Sequence, residues 1–98
     1  MRNAQAKITK EHLDELLDVL RQAVRDKKFL VDFLSDLLTP TELNEIVARW
    51  QIVKRLAKGM SQREISKQLH ITLVTINRGA RVLENQSGGF QQILKRFN

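Results

Sequence analysis

Helix-start signals, each followed by apolar residues at helical spacing, constrain this chain more than anything else in it. In "TPTE" (Thr39 to Glu42) a capping threonine precedes a proline at the first helical position and a glutamate at the third. That is a capping box with its first φ angle already set. "SQRE" (Ser61 to Glu64) repeats the box, and Thr72 opens another segment. Thr9 caps the first helix, with Ile8 before it and Leu13 inside it placed as a hydrophobic staple. Leu13, Leu16, Leu17, Leu20 and Val24 then fall at i, i+3, i+4 and i+7, and Val19 and Ala23 widen the stripe beyond what one neighbouring helix would cover. Phe29 to Leu38 repeats the spacing with Phe29, Leu30, Phe33, Leu34, Leu37 and Leu38. The third helix carries Leu43, Ile46, Val47, Trp50, Val53, Leu56 and Ala57 and stops at Gly59. The fourth runs to about Leu69 and the fifth to about Asn85. "NQSGG" is a loop, and Phe90, Ile93, Leu94 and Phe97 make a closing helix. Met1 to Lys7 is polar and reads as a frayed end. The expectation is an all-α fold of six helices in one domain over residues 1–98. Residues 8–57 form core and dimerisation helices, 61–85 a helix-turn-helix and 88–97 the closing helix.

Composition narrows the function. Lys and Arg number 17 against 11 Asp and Glu, a formal charge of +6, which draws a domain of 98 residues to polyanions, nucleic acid first and anionic membrane second. The bland alternative is a surface kept soluble by lysine. Without cysteine there is no disulfide, thiolate or cysteine-ligated zinc chemistry. There is no apolar run long enough to span a bilayer, and "MRNAQAKITKEH" has no apolar signal core, so a cytoplasmic protein without membrane contact is expected. His12 and His70 are isolated and make no metal or catalytic site. Without an acid/base pair, nucleophile triad or phosphate loop, an enzyme is not expected, and neither is a cofactor.

The stretch "SQREISKQLHITLVTINRGARVLEN" reads as two short helices across a tight turn. A helix-turn-helix needs apolar residues to lock the pair near a right angle and a small residue where they touch. Ile65 and Leu69 supply the inner face of the first, Ser66 is the small residue, Ile71 plugs the turn and Ile76 anchors the second. The turn position favours left-handed φ; it is His70 here, a residue that tolerates φ > 0. Gln62, Arg63 and Lys67 on the first helix suit phosphate contacts. Thr72, Leu73, Val74 and Asn77 at the start of the second are placed to meet base edges in double-stranded DNA. Only Asn77 can pair an adenine edge. Leu73 and Val74 suit thymine methyls, leaving the rest of the readout to water and DNA shape. A plain pair of core helices, or a helical protein-interaction module, is the competing reading.

"LTPTELNEIVARWQIVKRLAKGMSQREISKQL" with "TINRG" after it resembles the Trp repressor family over about Leu37 to Gly79. The resemblance implies an intertwined homodimer whose paired helix-turn-helix motifs bind a palindromic operator and repress transcription, with L-tryptophan as the amino-acid effector. It implies that Arg49 and Arg78 sandwich the indole, that Arg78 and Thr39 meet the carboxylate, and that Thr75 and Gly79 line the ring's pocket. The ammonium would face helix-end carbonyls near Leu34 and Leu38. The chemistry suits these roles, because arginine stacks on an aromatic face and forks onto a carboxylate, and a helix C-terminus attracts a cation. A glycine inside a helix costs about 1 kcal/mol against alanine. At Gly79 a ligand's seat explains it, and so does close helix packing. One residue departs from the family pattern: Val82 stands where members often place a serine against the ligand's ammonium. Asp36 lies near the expected ammonium site in sequence. Trp50, beside Arg49, is placed in the core. An effector-independent DNA-binding regulator is the alternative that Val82 supports.

Overall fold

The computed structural model describes residues 6–97. In chain order these form six helices: α1 (Lys10–Ala23), α2 (Lys27–Leu37), α3 (Pro40–Ala57), α4 (Gln62–Leu69), α5 (Leu73–Leu83) and α6 (Gly89–Phe97). There is no strand among the described residues. The frayed end expected at residues 1–7 lies mostly outside them, as does the Phe97 side chain. The chain divides into two compact units, Met1–Leu43 and Asn44–Asn98.

In the first unit, Thr9 caps α1 through a reciprocal box. Its hydroxyl accepts from the His12 N–H at 3.2 Å, and its own N–H donates to His12 Nδ1 at 3.2 Å. His12, isolated in sequence and expected to have no metal or catalytic role, therefore fills the place usually held by glutamate. Ile8 and Leu13, the expected staple, are both exposed. Helix α2 starts two residues before the expected Phe29, because the Asp26 carboxylate accepts from the Lys28 N–H at 3.0 Å and caps it. It also ends earlier than expected. Leu38 is extended, at φ −113° and ψ 146°, as the chain turns into the Thr39 cap of the next helix. The Thr39 hydroxyl accepts from the Glu42 N–H at 3.1 Å, and the Thr39 N–H donates to Glu42 Oε1 at 2.9 Å, so the expected capping box of α3 is formed. Those hydrogen bonds favour the charged carboxylate and hold Glu42 below its ordinary value of 4.5.

The second unit is built on Ile52, Ile65 and Ile76, one from each of α3, α4 and α5, with Leu56, Met60, Leu69 and Ile71 packed around them. The apolar pattern singled out Ile65, Leu69, Ile71 and Ile76 but missed Ile52. It also assigned Ile46 and Val47 to the stripe of α3, and both are exposed. Helix α3 stops as expected at Gly59, whose φ of +92° is open to glycine at no steric cost. The Gly59 N–H donates to the Leu56 carbonyl at 3.0 Å and the Met60 N–H to the Arg55 carbonyl at 3.1 Å, the two hydrogen bonds of a Schellman stop. Helix α5 ends at Leu83, short of the expected Asn85. There the Glu84 N–H reaches the Arg81 carbonyl at 3.2 Å and the Asn85 N–H the Val82 carbonyl at 3.2 Å, tightening the last turn. Trp50 stacks at a tilt on Phe90 of α6, with ring centroids 6.5 Å apart.

Candidate nucleic-acid interface

The turn between α4 and α5 is fixed by local chemistry. Ser61 accepts from the Glu64 N–H at 3.1 Å and Glu64 returns the contact to the Ser61 N–H, closing the expected capping box at the start of α4. His70 ends the helix at φ 56° and ψ 45°, the left-handed conformation a helix-turn-helix bend requires. The Ser66 hydroxyl then donates to the Ile71 carbonyl at 2.7 Å, across the bend. Ser66 was expected only as a small residue at the contact. Its hydroxyl also satisfies a carbonyl that the turn would leave without a helical partner. Ile65 and Ile76 are both fully buried between the two helices and α3. Arg55 joins α3 to α4, with its Nε donating to Gln68 Oε1 at 3.2 Å and its guanidinium also bonded to the Gln51 side chain.

On the outside of this pair, Arg63 and Lys67 are exposed and Gln62 is half-buried. Neither Arg63 nor Lys67 forms an ion pair among the described residues, so both charges face solvent. Thr72 caps α5, its hydroxyl accepting from the Thr75 N–H at 3.3 Å and sharing a hydrogen bond with the Thr75 hydroxyl at 3.1 Å. Leu73 is exposed, Val74 is 77% exposed and Asn77 is exposed.

Helix α5 turns about 100° per residue, and the buried Ile76 marks its inward direction. Thr75, Gly79 and Val82 then share one flank, and Val74 and Asn77 lie on the other. Arg78 points away from the core between them and is exposed. The Gly79 flank meets α3. A Cβ built on Gly79 would lie 3.0 Å from Ile52 Cγ2 and 4.0 Å from Val53 Cγ2. Close helix packing therefore accounts for this glycine directly. Arg49 lies one turn before Ile52 and Val53 on α3, with its guanidinium exposed and 3.9 Å from the Glu45 carboxylate. In the first unit, the Leu34 carbonyl accepts from the Leu38 N–H at 2.9 Å, both side chains are half-buried and Thr39 is exposed with its hydroxyl engaged in the cap. Val82 is 50% exposed.

The chain matches the family described as Trp repressor protein over residues 11–98. It belongs to the Trp repressor family. Curated relatives named Trp operon repressor homolog agree. The Vibrio cholerae serotype O1 protein is 39% identical over 74% of this chain and 71% of its own length. That of Photobacterium profundum is 42% identical over the same shares, 74% and 71%. That of Mannheimia succiniciproducens is 38% identical over 88% of this chain and 85% of its own. No solved structure gives a significant match. As a Trp repressor family member the chain is a helix-turn-helix, DNA-binding repressor. Among the described residues no helix is long and apolar enough to cross a membrane.

Proposed function

We propose that this Trp repressor family member is a cytoplasmic homodimer that binds a palindromic operator in response to L-tryptophan. The observation that carries the DNA-binding half is the α4–α5 pair, bent at a left-handed His70 and presenting Val74 and Asn77 outward. Two such motifs, one from each protomer, would enter successive major grooves about 34 Å apart. Arg63, Lys67 and Gln62 would hold phosphates, Asn77 would read a base edge, and Leu73 and Val74 would meet thymine methyls. Thr72 would set the angle of entry as the helix cap.

The effector half rests on the family and on Arg49, Arg78, Thr39, Thr75, Gly79, Leu34 and Leu38 in the roles the resemblance gives them. Ligand binding would then favour the DNA-competent position of α5, so operator affinity rises with tryptophan. Calorimetric titration with L-tryptophan, followed by operator affinity with and without it, tests this. Arg78→Lys should abolish the response while basal DNA binding and melting temperature stay unchanged, since lysine keeps the charge and loses the fork and stacking face. Wild-type binding that ignores every indole would overturn the corepressor and leave an effector-independent repressor. Two observations favour that second reading: the half-exposed Val82, and a Gly79 whose missing Cβ is accounted for by Ile52.

A further inference from the structure

We propose that Arg81 is a DNA-contacting residue, its guanidinium donating to acceptor oxygens of the duplex beside the groove that receives Asn77. The inference rests on α5 being the recognition helix. At about 100° per residue, Arg81 lies about 40° round the helix from Asn77 and about 20° from Val74. It therefore shares the flank that carries the 77%-exposed Val74, and not the flank where Gly79 meets Ile52. Arg81 is exposed. Glu84 follows one turn later, yet no ion pair among the described residues engages Arg81. Helical side chains lean towards the N-terminus, so the guanidinium covers the turn that holds Asn77 and not the space beyond the helix end.

On that flank Val74 is apolar and Asn77 offers a single amide, and the neighbouring exposed Arg78, about 40° beyond Val74, is the carboxylate partner of the proposed effector site. An arginine one turn on adds a planar fork that fits either a phosphate or the O6 and N7 edge of guanine. Both offer the same acceptor chemistry, and substitution separates them. Its competitor is a purely local role, since a cation in the last turn of a helix also complements the helix dipole.

The test measures affinity of the full chain by fluorescence anisotropy at several salt concentrations. The probes are the best-bound duplex selected from a randomised pool and a shuffled duplex. Arg81→Gln should lower affinity for the selected duplex on the order of tenfold at each half-site, about a hundredfold for the dimer, the loss expected for one charge-assisted hydrogen bond per protomer. If the partner is a phosphate, the shuffled duplex loses as much, the salt slope falls by about two, one for each protomer, and Arg81→Lys recovers most of the affinity. If it is a guanine edge, the loss is confined to the selected duplex and Arg81→Lys does not recover it. Arg25→Gln, which removes the same charge from the α1–α2 turn, should bind as wild type. Melting temperatures separate binding from folding. Should Arg81→Gln melt early, its salt slope measured well below the melting range separates a lost phosphate contact, which lowers the slope, from a loss of folding alone, which leaves it unchanged, and Arg81→Lys, which keeps the helix-end charge, reports the guanine edge. Unchanged affinity and slope in Arg81→Gln, or an equal loss in Arg25→Gln, overturns the proposal. Absence of DNA binding by the wild type would instead overturn the reading it rests on.

Discussion

A methyl group on Gly79 would press on Ile52 at 3.0 Å, closer than nearly all Cβ contacts. Alanine there would gain about 1 kcal/mol of helix propensity, while overpacking of a filled site costs about 1–3 kcal/mol. Gly79→Ala is therefore expected to lower stability by about 1 kcal/mol in urea denaturation, the difference of those two effects. Ile52→Leu moves the branch off Cβ and should recover part of that loss when combined with Gly79→Ala. A Gly79→Ala protein more stable than wild type would show that α5 simply moves aside. Asn77 belongs to the opposite flank. Asn77→Ala should weaken binding to the selected duplex by about 1–3 kcal/mol, the range for a base-edge contact, and leave a shuffled duplex almost unaffected. Equal losses on both duplexes would remove Asn77 from the reading set. At this scale the sequence carried the chemistry of each side chain, and the pattern "TINRG" marked the family. It did not show that the glycine's open side faces Ile52, because which flank meets which helix depends on α3.

Helix starts were the most legible elements, since a cap is a contact between residues three apart. Thr9, Thr39, Ser61 and Thr72 all cap as their neighbours in sequence require. The exceptions are also local. Asp26 was passed over because the expected helix began at the apolar Phe29, and the ends of α2 and α5 were placed by apolar content where backbone hydrogen bonding stops them sooner. The α3 cap has a pH signature. Glu42 is held below 4.5 in the folded chain by the Thr39 N–H and hydroxyl. A depressed folded value means that the charged form contributes stability above the unfolded value of about 4.5. That contribution is lost as pH falls from there through the folded value. Glu42→Gln keeps an acceptor for the Thr39 N–H but cannot titrate. Its thermal stability should be lower than wild type at pH 7, and the gap should close as the pH drops below 4.5. A gap that persists into acid would assign the loss to geometry and not to charge.

Across the chain, the first unit leaves Leu13, Leu17, Val19, Val24, Phe29, Val31 and Leu37 exposed. That is more apolar surface than a basic monomer of this size needs to show. The intertwined dimer proposed above would cover it. Folding and association would then be linked, so the melting temperature should rise with protein concentration. A midpoint independent of concentration over two decades, with a monomer in sedimentation, would exclude the dimer. Leu17→Glu is expected to lower the midpoint and weaken operator binding together, because two half-sites must be engaged at once.

Sequence alone determined the helical class, the four threonine and serine caps, the Gly59 stop, the left-handed turn at His70 and the family. Each of these depends on residues within a turn or two of one another, or on a motif read in order. Tertiary structure alone decided that Ile52 centres the second unit while Ile46 and Val47 face solvent, that Ser66 bridges to Ile71, and that Arg55 joins α3 to α4. It also decided which flank of α5 packs inward, and with it that the flank shared by Asn77 and Arg81 is left exposed. A 3.6-residue period says that a helix has an apolar side, but several side chains on α3 are apolar enough to serve. Which of them is buried depends on the angle at which α4 and α5 lie against it, and no spacing within α3 encodes that angle.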